Sequence, residues 1–241
     1  MRIGIIVAMD SELESIKSIL ESSTKFTLYN RNFLEGTYNN HRLIVCVGGI
    51  GKVNAAITAT LMDACFDCNF IISTGCAGGI SSDLNVGDIV VAADYAYHDI
   101  WCPLTPDTKM GELQGLPTKL NWKEIISTIF DCKKWLKGYK VGHFYSGDQF
   151  IQNQDAVNKI IDIYKDDVND GLSAVCDMES MAIAHTCYQL KIPFISFRVI
   201  SDTPCCHINA EEQMKQYENF WKSMSDKSYN FLKSFIDSYK D

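Results

Sequence analysis

The sequence has no excess of basic residues. Its 22 Lys and Arg are outnumbered by 30 Asp and Glu, which leaves a net charge of −8 at pH 7. Proteins that bind the phosphate backbone of nucleic acids need a basic patch or stripe that neutralises the phosphates. We therefore expect no nucleic-acid partner.

Long apolar runs are also missing. The first apolar run, residues 3–8, is followed at once by Asp10, Glu12 and Glu14. It is too short for the apolar part of a secretion signal or for a membrane span. Later apolar runs are interrupted early by a charge or a glycine. We expect a soluble, cytoplasmic protein without a membrane partner.

The chain contains no internal repeat, no low-complexity tract and no linker-like stretch. With 241 residues, 46% of them hydrophobic, it is long enough to bury one large core. We therefore predict a single domain that spans residues 1–241.

Cysteine is plentiful, but its positions indicate neither disulfides nor a metal site. The ten cysteines lie in predicted strands and helices as often as in loops, which suits reduced, buried thiols. Cys65 and Cys68 form an isolated C-x-x-C pair, and Cys205, Cys206 and His207 have no second pair at the spacing of a zinc site. We expect no metal ion and no cofactor.

The pattern of apolar residues predicts strands that alternate with helices. Residues 2–8 form a continuous apolar run that is typical of a strand covered on both faces. Asp10 and Ser11 are suited to cap the helix that follows, which places Glu12 in its first turn. A glycine-rich turn at residues 48–51 then leads into a second predicted helix.

The alternation continues to the end of the chain. Residues 69–74 are predicted to form a strand that ends in a glycine-rich turn, residues 75–79. Residues 121–137 are predicted to form one helix, and residues 194–200 a late strand. The long segment 99–117 holds three of the five prolines, which indicates a surface loop. We expect an α/β fold of three layers, with helices on both faces of a central mixed, mostly parallel sheet.

Acidic residues follow three of the predicted strands. Glu12 follows the first strand, and Glu179 and Asp202 follow two later ones. Each alone has a structural explanation as a helix-start or loop-capping residue. In an α/β sheet, however, ligand sites lie at the carboxyl ends of the strands, so we expect the three carboxyl groups to lie close together. Such a cluster needs either a cationic ligand or a role in proton transfer.

Seven sequence blocks resemble, in order, the signature blocks of the 5'-methylthioadenosine/S-adenosylhomocysteine nucleosidases. They are residues 3–9, 49–55, 74–79, 86–90, 146–151, 177–184 and 198–202. One block alone would be a weak indication, whereas an ordered set that spans nearly the whole chain is specific. The resemblance implies the nucleoside phosphorylase-like fold.

Members of that family hydrolyse the bond between adenine N9 and ribose C1' of 5'-methylthioadenosine, S-adenosylhomocysteine or both. By resemblance, Asp202 is the general acid at adenine N7, and Ser201 orients it. Glu12 matches the general base that deprotonates the attacking water. Glu179 matches the residue that binds the ribose hydroxyls, where its negative charge favours the cationic transition state.

The resemblance also implies contacts to the rest of the substrate. Phe150 would stack on adenine, and the main chain of Ile151 would read the edge of the base. Met178 would pack against the ribose, and Arg198 would lie beside the acids and the water. Ile50 would contact the 5'-alkylthio group.

The glycine-rich segment is implied to line the pocket through Cys76, Ala77 and the backbone of Gly78. Cys76 departs from the family pattern, because many members carry serine within this segment. A thiol is a poorer hydrogen-bond donor than a hydroxyl, so the role of the Cys76 side chain stays open.

Two other functions fit the same fold. A purine nucleoside phosphorylase would need clustered cationic donors for phosphate, but here the first strand leads into acids and no arginine directly precedes Gly75. A non-catalytic nucleoside-binding protein would be marked by the loss of an acid, and all three acids are present. We expect hydrolysis.

The resemblance further implies a homodimer, in which the long loop reaches the neighbour's site. Residues 100–116 and 203–219, which are expected to shape the 5' end of the pocket, match the family less well. The preferred 5' substituent among the related adenosines therefore stays open.

Overall fold

The computed structural model describes residues 1–105, 107–167, 170–204, 210–220 and 225–240. Cys205, Cys206 and His207, which were considered as metal ligands above, lie outside these residues. No helix among the described residues is long and apolar enough to cross a membrane.

Strands and helices alternate along most of the chain, as predicted. The strands are β1 (Arg2–Val7), β2 (Glu21–Leu28), β3 (Arg31–Tyr38), β4 (His41–Val47), β5 (Phe70–Gly79), β6 (Ile89–Tyr97), β7 (Lys140–Ser146), β8 (Ser173–Asp177) and β9 (Phe194–Asp202). The α-helices are α1 (Asp10–Ile16), α2 (Lys52–Ala64), α3 (Lys123–Ile129), α4 (Cys132–Trp135), α5 (Gln154–Ile163), α6 (Ser180–Leu190), α7 (Ala210–Phe220) and α8 (Ser225–Ile236).

The strands form one mixed sheet in the order β2-β3-β4-β1-β5-β8-β7-β6-β9. An additional parallel pairing of β5 with β9 joins the last strand back to the middle of the sheet. Pairs β1–β4, β1–β5, β6–β7 and β7–β8 are also parallel, whereas β2–β3, β3–β4, β5–β8 and β6–β9 are antiparallel. The predicted α/β fold with a central mixed sheet is confirmed.

The glycine-rich segment 75–79 is not a turn, so that prediction was wrong. The segment continues β5, which pairs in parallel with β9 as far as Gly78 and then antiparallel with β8 at Gly78 and Gly79. Small residues are needed there, because a Cβ at Gly78 would lie 3.0 Å from the Cys176 sulfur. Close packing of strands, rather than a change of chain direction, explains Gly78.

The predicted helix over residues 121–137 is broken in two. Phe130 adopts an extended conformation at the end of α3, and its fully buried ring stacks on Phe235 of α8. Asp131 then caps α4 by accepting a hydrogen bond from the backbone N–H of Lys133. Burial of the aromatic ring thus overrides the helical periodicity.

The predicted long loop is confirmed for residues 99–105 and 107–117, none of which lies in a helix or strand. Strand β9 is two residues longer than predicted, because it extends through Ser201 to Asp202. All nine residues of β9 are buried, including Asp202. The fold therefore brings a carboxyl group into the interior at the end of a central strand.

Candidate active site

The three acids predicted from the sequence line one pocket. Glu12 comes from the first turn of α1, Glu179 directly precedes α6, and Asp202 is the last residue of β9. Only 3% of Glu12 and 2% of Asp202 is exposed to solvent, whereas Glu179 is half-buried. The carboxyl groups therefore converge from three separate elements, as the strand-end argument predicts.

Most of the other predicted contacts lie in the same pocket. Those present are Ile50, Cys76, Ala77, Gly78, Phe150, Ile151, Met178 and Ser201. The pocket is also lined by residues that sequence reasoning did not select, namely Ala8, Met9, Gln149, Cys176, Asp177 and Tyr217. None of the described residues that line this pocket is Lys or Arg.

Glu12 accepts hydrogen bonds from backbone N–H groups just after β1 and within β5. Its Oε2 accepts hydrogen bonds from the N–H groups of Ala8 at 2.7 Å and Met9 at 3.0 Å, and its Oε1 accepts one from Cys76 at 3.1 Å. Burial raises the pKa of Glu12 above its ordinary value, although the charge of Arg198 and these three donors lower it. Desolvation therefore outweighs the stabilising effect of the Arg198 charge and the three backbone donors.

The start of α1 differs in one detail from the prediction. Asp10 is the first helical residue and Met9 is the capping residue, so neither Asp10 nor Ser11 caps the helix. The backbone N–H of Met9 is satisfied by the Glu12 side chain instead. The same carboxylate thus serves the helix start and the pocket.

A close approach at Gly75 makes room for Glu12. A Cβ at this position would clash with Oε1 of Glu12. Any side chain at residue 75 would therefore push the carboxylate away from the Cys76 N–H. This glycine belongs to the site as much as to the sheet.

Cys76 acts on the site through its backbone. Its N–H donates to Glu12, a contact that does not depend on the side chain, and a serine there would donate in the same way. Burial raises the pKa of the Cys76 thiol well above its ordinary value, and the nearby Glu12 carboxyl raises it further. The side chain is therefore a neutral thiol at the pocket wall.

Asp202 is bound on both oxygens. Its Oδ1 accepts a hydrogen bond from the Ser201 hydroxyl at 2.6 Å, and its Oδ2 accepts one from Nε2 of Gln213 at 2.6 Å. Burial raises the pKa of Asp202 above its ordinary value, and the two donors offset part of this rise. The arrangement favours a carboxyl group that holds a proton at higher pH than a free aspartate does.

Glu179 is tied to the glycine-rich turn before α2. Its Oε1 accepts a hydrogen bond from the N–H of Gly51 at 2.9 Å. Gly51 has a φ of 94°, a conformation that favours glycine, and it is the capping residue of α2. Burial, followed by the nearby charge of Asp177, raises the pKa of Glu179 to about 7.

Arg198 does not line the main pocket but lies behind it. Its Nη2 forms an ion pair with Oδ2 of Asp177 at 3.0 Å, and both side chains are buried. Its Nη1 donates to the hydroxyls of Ser73 at 3.1 Å and Ser196 at 2.9 Å. The fork of the guanidinium group is therefore occupied by β8, β5 and β9 rather than by a catalytic carboxylate.

Arg198 still influences the predicted acids through its charge. It lines a small neighbouring cavity together with Glu12 and Glu179, and it lowers the pKa of both carboxyl groups. The prediction that Arg198 lies beside the acids is thus matched by the geometry, but its direct partner is Asp177. The strand-end argument could have found Asp177, because it closes β8 one residue before Met178.

Loss of the buried ion pair between Arg198 and Asp177 is expected to destabilise the protein. Arg198→Leu leaves the Asp177 carboxylate buried without its cation, so the free energy of unfolding is expected to fall by about 3–5 kcal/mol. As a control, Arg42→Ala removes an exposed ion pair with Glu35 and should cost less than about 1 kcal/mol. Urea denaturation of both variants measures the difference, and equal losses would contradict the structural role of the pair.

Known proteins are similar to this chain over most of its length. The family model of the phosphorylase superfamily matches residues 2–237. The 5'-methylthioadenosine/S-adenosylhomocysteine nucleosidase of Bacillus subtilis is 35% identical over 205 residues, which cover 84% of this chain and 86% of that protein. The nucleosidase of Bacillus cereus strain B4264 is 30% identical over 243 residues and is covered completely, as is this chain.

A solved structure is similar over almost the whole chain. The S-adenosylhomocysteine nucleosidase of Streptococcus pyogenes, in complex with 5-methylthiotubericidin, has a TM-score of 0.85 at 28% identity. The similarity covers 98% of this chain and 96% of that one. That relative binds a small nucleoside analogue.

Proposed function

This chain belongs to the 5'-methylthioadenosine/S-adenosylhomocysteine nucleosidases of the phosphorylase superfamily, and we propose that it hydrolyses the N9–C1' bond of these nucleosides. The products are adenine and the 5'-thio-substituted ribose. The observation that carries the proposal is the convergence of Glu12, Glu179 and Asp202 on one pocket whose described lining holds no cationic side chain.

Asp202 acts as the general acid in this reaction. Cleavage leaves negative charge on the base, and a proton delivered to adenine N7 turns the leaving group into a neutral molecule. Burial, which raises the pKa of Asp202, supports this role because it keeps the carboxyl group protonated at higher pH. Ser201 donates to the other oxygen and so fixes the direction in which the carboxyl group faces.

Glu12 acts as the general base, and Glu179 binds the sugar. The raised pKa of Glu12 makes this carboxylate a stronger base than a free glutamate, which suits the removal of a proton from water. Glu179 accepts hydrogen bonds from the ribose hydroxyls, and its charge is worth most when positive charge develops on the sugar ring. Two carboxyl groups divide acid and base work in glycosidases in the same way.

The remaining pocket residues position the substrate. Phe150 stacks on adenine, and the main chain of Ile151 reads the edge of the base. Met178 packs against the ribose, and Ile50 contacts the 5'-alkylthio group. Phe150 and Ile50 are partly exposed, and each lines the pocket, so both apolar surfaces are accessible to a ligand.

The decisive experiment measures adenine release from methylthioadenosine with and without added phosphate. A hydrolase is expected to release adenine at the same rate in both, and to yield the free 5'-thio-substituted ribose. A sugar 1-phosphate, formed only with phosphate present, would instead identify a purine nucleoside phosphorylase. Binding without turnover in either buffer would identify a non-catalytic nucleoside-binding protein.

We further infer that residues 1–241 act as one nucleosidase domain in the cytoplasm, on small nucleosides and without nucleic-acid or membrane partners. The family model covers nearly this whole range, and the net charge of −8 disfavours binding to phosphate backbones. The enzyme needs no cofactor, because the proposed acid, base and sugar ligand are all side chains of the chain itself.

We also propose that the chain forms a homodimer through α2 and the long loop. Val53 and Ala56 of α2 line one groove together with Ile100 and Leu113 of the loop, and 70% of Val53 is exposed. An exposed apolar surface of this kind is typical of a protein interface.

The dimer is tested by a charge placed in this groove. Val53→Glu should convert a dimer into a monomer in light scattering, because burial of the carboxylate would be costly. Thr24→Glu, which adds the same charge on the exposed strand β2, should leave the dimer intact. A wild-type protein that is a fully active monomer would contradict the proposal.

A further inference from the structure

Gln213, which no sequence argument selected, donates hydrogen bonds to two oxygen atoms of the proposed adenine site. Gln213 lies on α7, and only 1% of the residue is exposed. Its Nε2 donates to the main-chain oxygen of Ile151 at 2.8 Å and to Oδ2 of Asp202 at 2.6 Å. A single side-chain amide thus binds both the main chain that reads the base and the acid that protonates it.

Adenine offers the same kind of donor to these oxygens. Its 6-amino group carries two hydrogens, like a primary amide, so one nitrogen can donate to two acceptors. The amino group and N7 lie on the same edge of the purine. A base whose N7 faces Asp202 therefore brings its amino group to the oxygens that Gln213 occupies.

The side-chain oxygen of Gln213 differs from its nitrogen, because it has no hydrogen-bond partner among the described residues. Its Oε1 is buried, and within the part of the chain that the structure describes no group donates a hydrogen bond to it. A buried acceptor without a donor is unfavourable. If adenine displaces the amide, only the two hydrogen bonds that Nε2 donates are lost. The unsatisfied Oε1 leaves its buried position at the same time.

Tyr217, also on α7, lines the pocket. The hydroxyl of Tyr217 donates to the sulfur of Met9 at 3.7 Å, and its ring meets the ring of Phe150 edge to face, with centroids 6.0 Å apart. Gln213 and Tyr217 are four residues apart and so lie on the same face of the helix. This face of α7 therefore covers the proposed base end of the pocket, whereas the sequence placed residues 203–219 at its 5' end.

We propose that Gln213 occupies the position of the adenine 6-amino group in the nucleoside-free enzyme and that the base displaces it on binding. The inference rests on the proposed function, because it takes Ile151 and Asp202 as contacts of adenine. Nucleoside then binds only to the fraction of molecules in which the amide has moved away, and the apparent affinity is lowered by that fraction.

The test measures the affinity for adenine by titration calorimetry. Gln213→Ala frees the base site in every molecule, so the dissociation constant for adenine and the KM are expected to fall by roughly three- to tenfold, with little change in kcat. Gln213→Met keeps the length of the side chain but removes both donors, and it is expected to tighten binding as well. Asn158→Ala removes an exposed amide on α5 that contacts Gln154 instead, and binding should not change.

Several results would overturn the inference. Equal or weaker binding of adenine by Gln213→Ala would show that the amide supports the base rather than competes with it. Tighter binding by Ala but not by Met would show that bulk, not hydrogen bonding, blocks the site. If either variant fails to fold, NMR spectra of the wild-type protein provide the test instead. The side-chain amide signals of Gln213 should shift when adenine saturates the enzyme, and unchanged signals would show that the amide is not displaced.

These results are separable from a failure of the proposed function. If adenine does not bind to the wild-type protein, the assignment of the pocket itself is wrong. If adenine binds with the same affinity to the wild type and to both Gln213 variants, only the role of Gln213 is wrong.

Discussion

Asp202→Asn is expected to lower kcat by about 10²–10⁴ while the fold is retained. The amide keeps the size of the carboxyl group and can still accept a hydrogen bond from Ser201, but it has no proton to give to adenine N7. Gln213 can rotate its amide so that Oε1 accepts from the new Asn donor. We therefore expect only a small change in the melting temperature, measured alongside adenine release.

The pH dependence of the wild type provides a second measure of the same group. Because the general acid works only when protonated, kcat/KM should fall as the pH rises through the raised pKa of Asp202. As a matched control, Asp237→Asn changes an aspartate that pairs with Lys233 far from the pocket, and it should leave turnover unchanged. Near-normal turnover by Asp202→Asn would exclude Asp202 as the acid.

Glu12→Gln is expected to lower kcat by a similar factor, about 10²–10⁴, because no group remains to take the proton from water. Binding of a non-hydrolysable nucleoside analogue should persist, since the sugar and base contacts come from other residues. Stability should fall somewhat as well. In the variant, the glutamine NH₂ must face one of the backbone N–H groups that donate to the carboxylate in the wild type, and two donors cannot form a hydrogen bond.

The control for this prediction lies on the same helix. Glu14→Gln removes an exposed carboxylate that pairs with Lys17, and its turnover should match that of the wild type. A Glu12→Gln enzyme that loses analogue binding but turns over normally whatever it binds would contradict the role of Glu12 as base. Since Glu12 must be ionised, the wild-type rate should also fall at acidic pH, and this fall should begin above the ordinary pKa of glutamate.

The elements that carry the site were predictable because local patterns encode them. A continuous apolar run predicts β1, and the acids that follow it begin α1, so the place of Glu12 follows from residues close in sequence. The same reasoning places Glu179 and Asp202 at strand ends. The convergence of all three then follows from a general property of α/β sheets.

Other features were not predictable from local patterns. The glycine-rich segment 75–79 has the composition of a turn, but pairing with β8 and β9 keeps it extended. The partner of Arg198 is Asp177, which lies 21 residues earlier and becomes a neighbour only when β8 and β9 are in place. Gln213 carried no signal at all, because a glutamine on a helix is ordinary until its contacts are known.

The sequence by itself determined the family, the order of most strands and helices, and which three acids are candidates for the site, because these depend on residue type and on short-range spacing. Only the tertiary structure decided which way the pKa of Glu12 shifts, since burial raises it while the Arg198 charge and the backbone donors lower it, and the balance depends on how completely water is excluded. The tertiary structure alone also revealed that Gln213 donates hydrogen bonds to two oxygen atoms of the proposed base site. Desolvation and contacts between distant segments are properties of the packed molecule, and no local pattern records them.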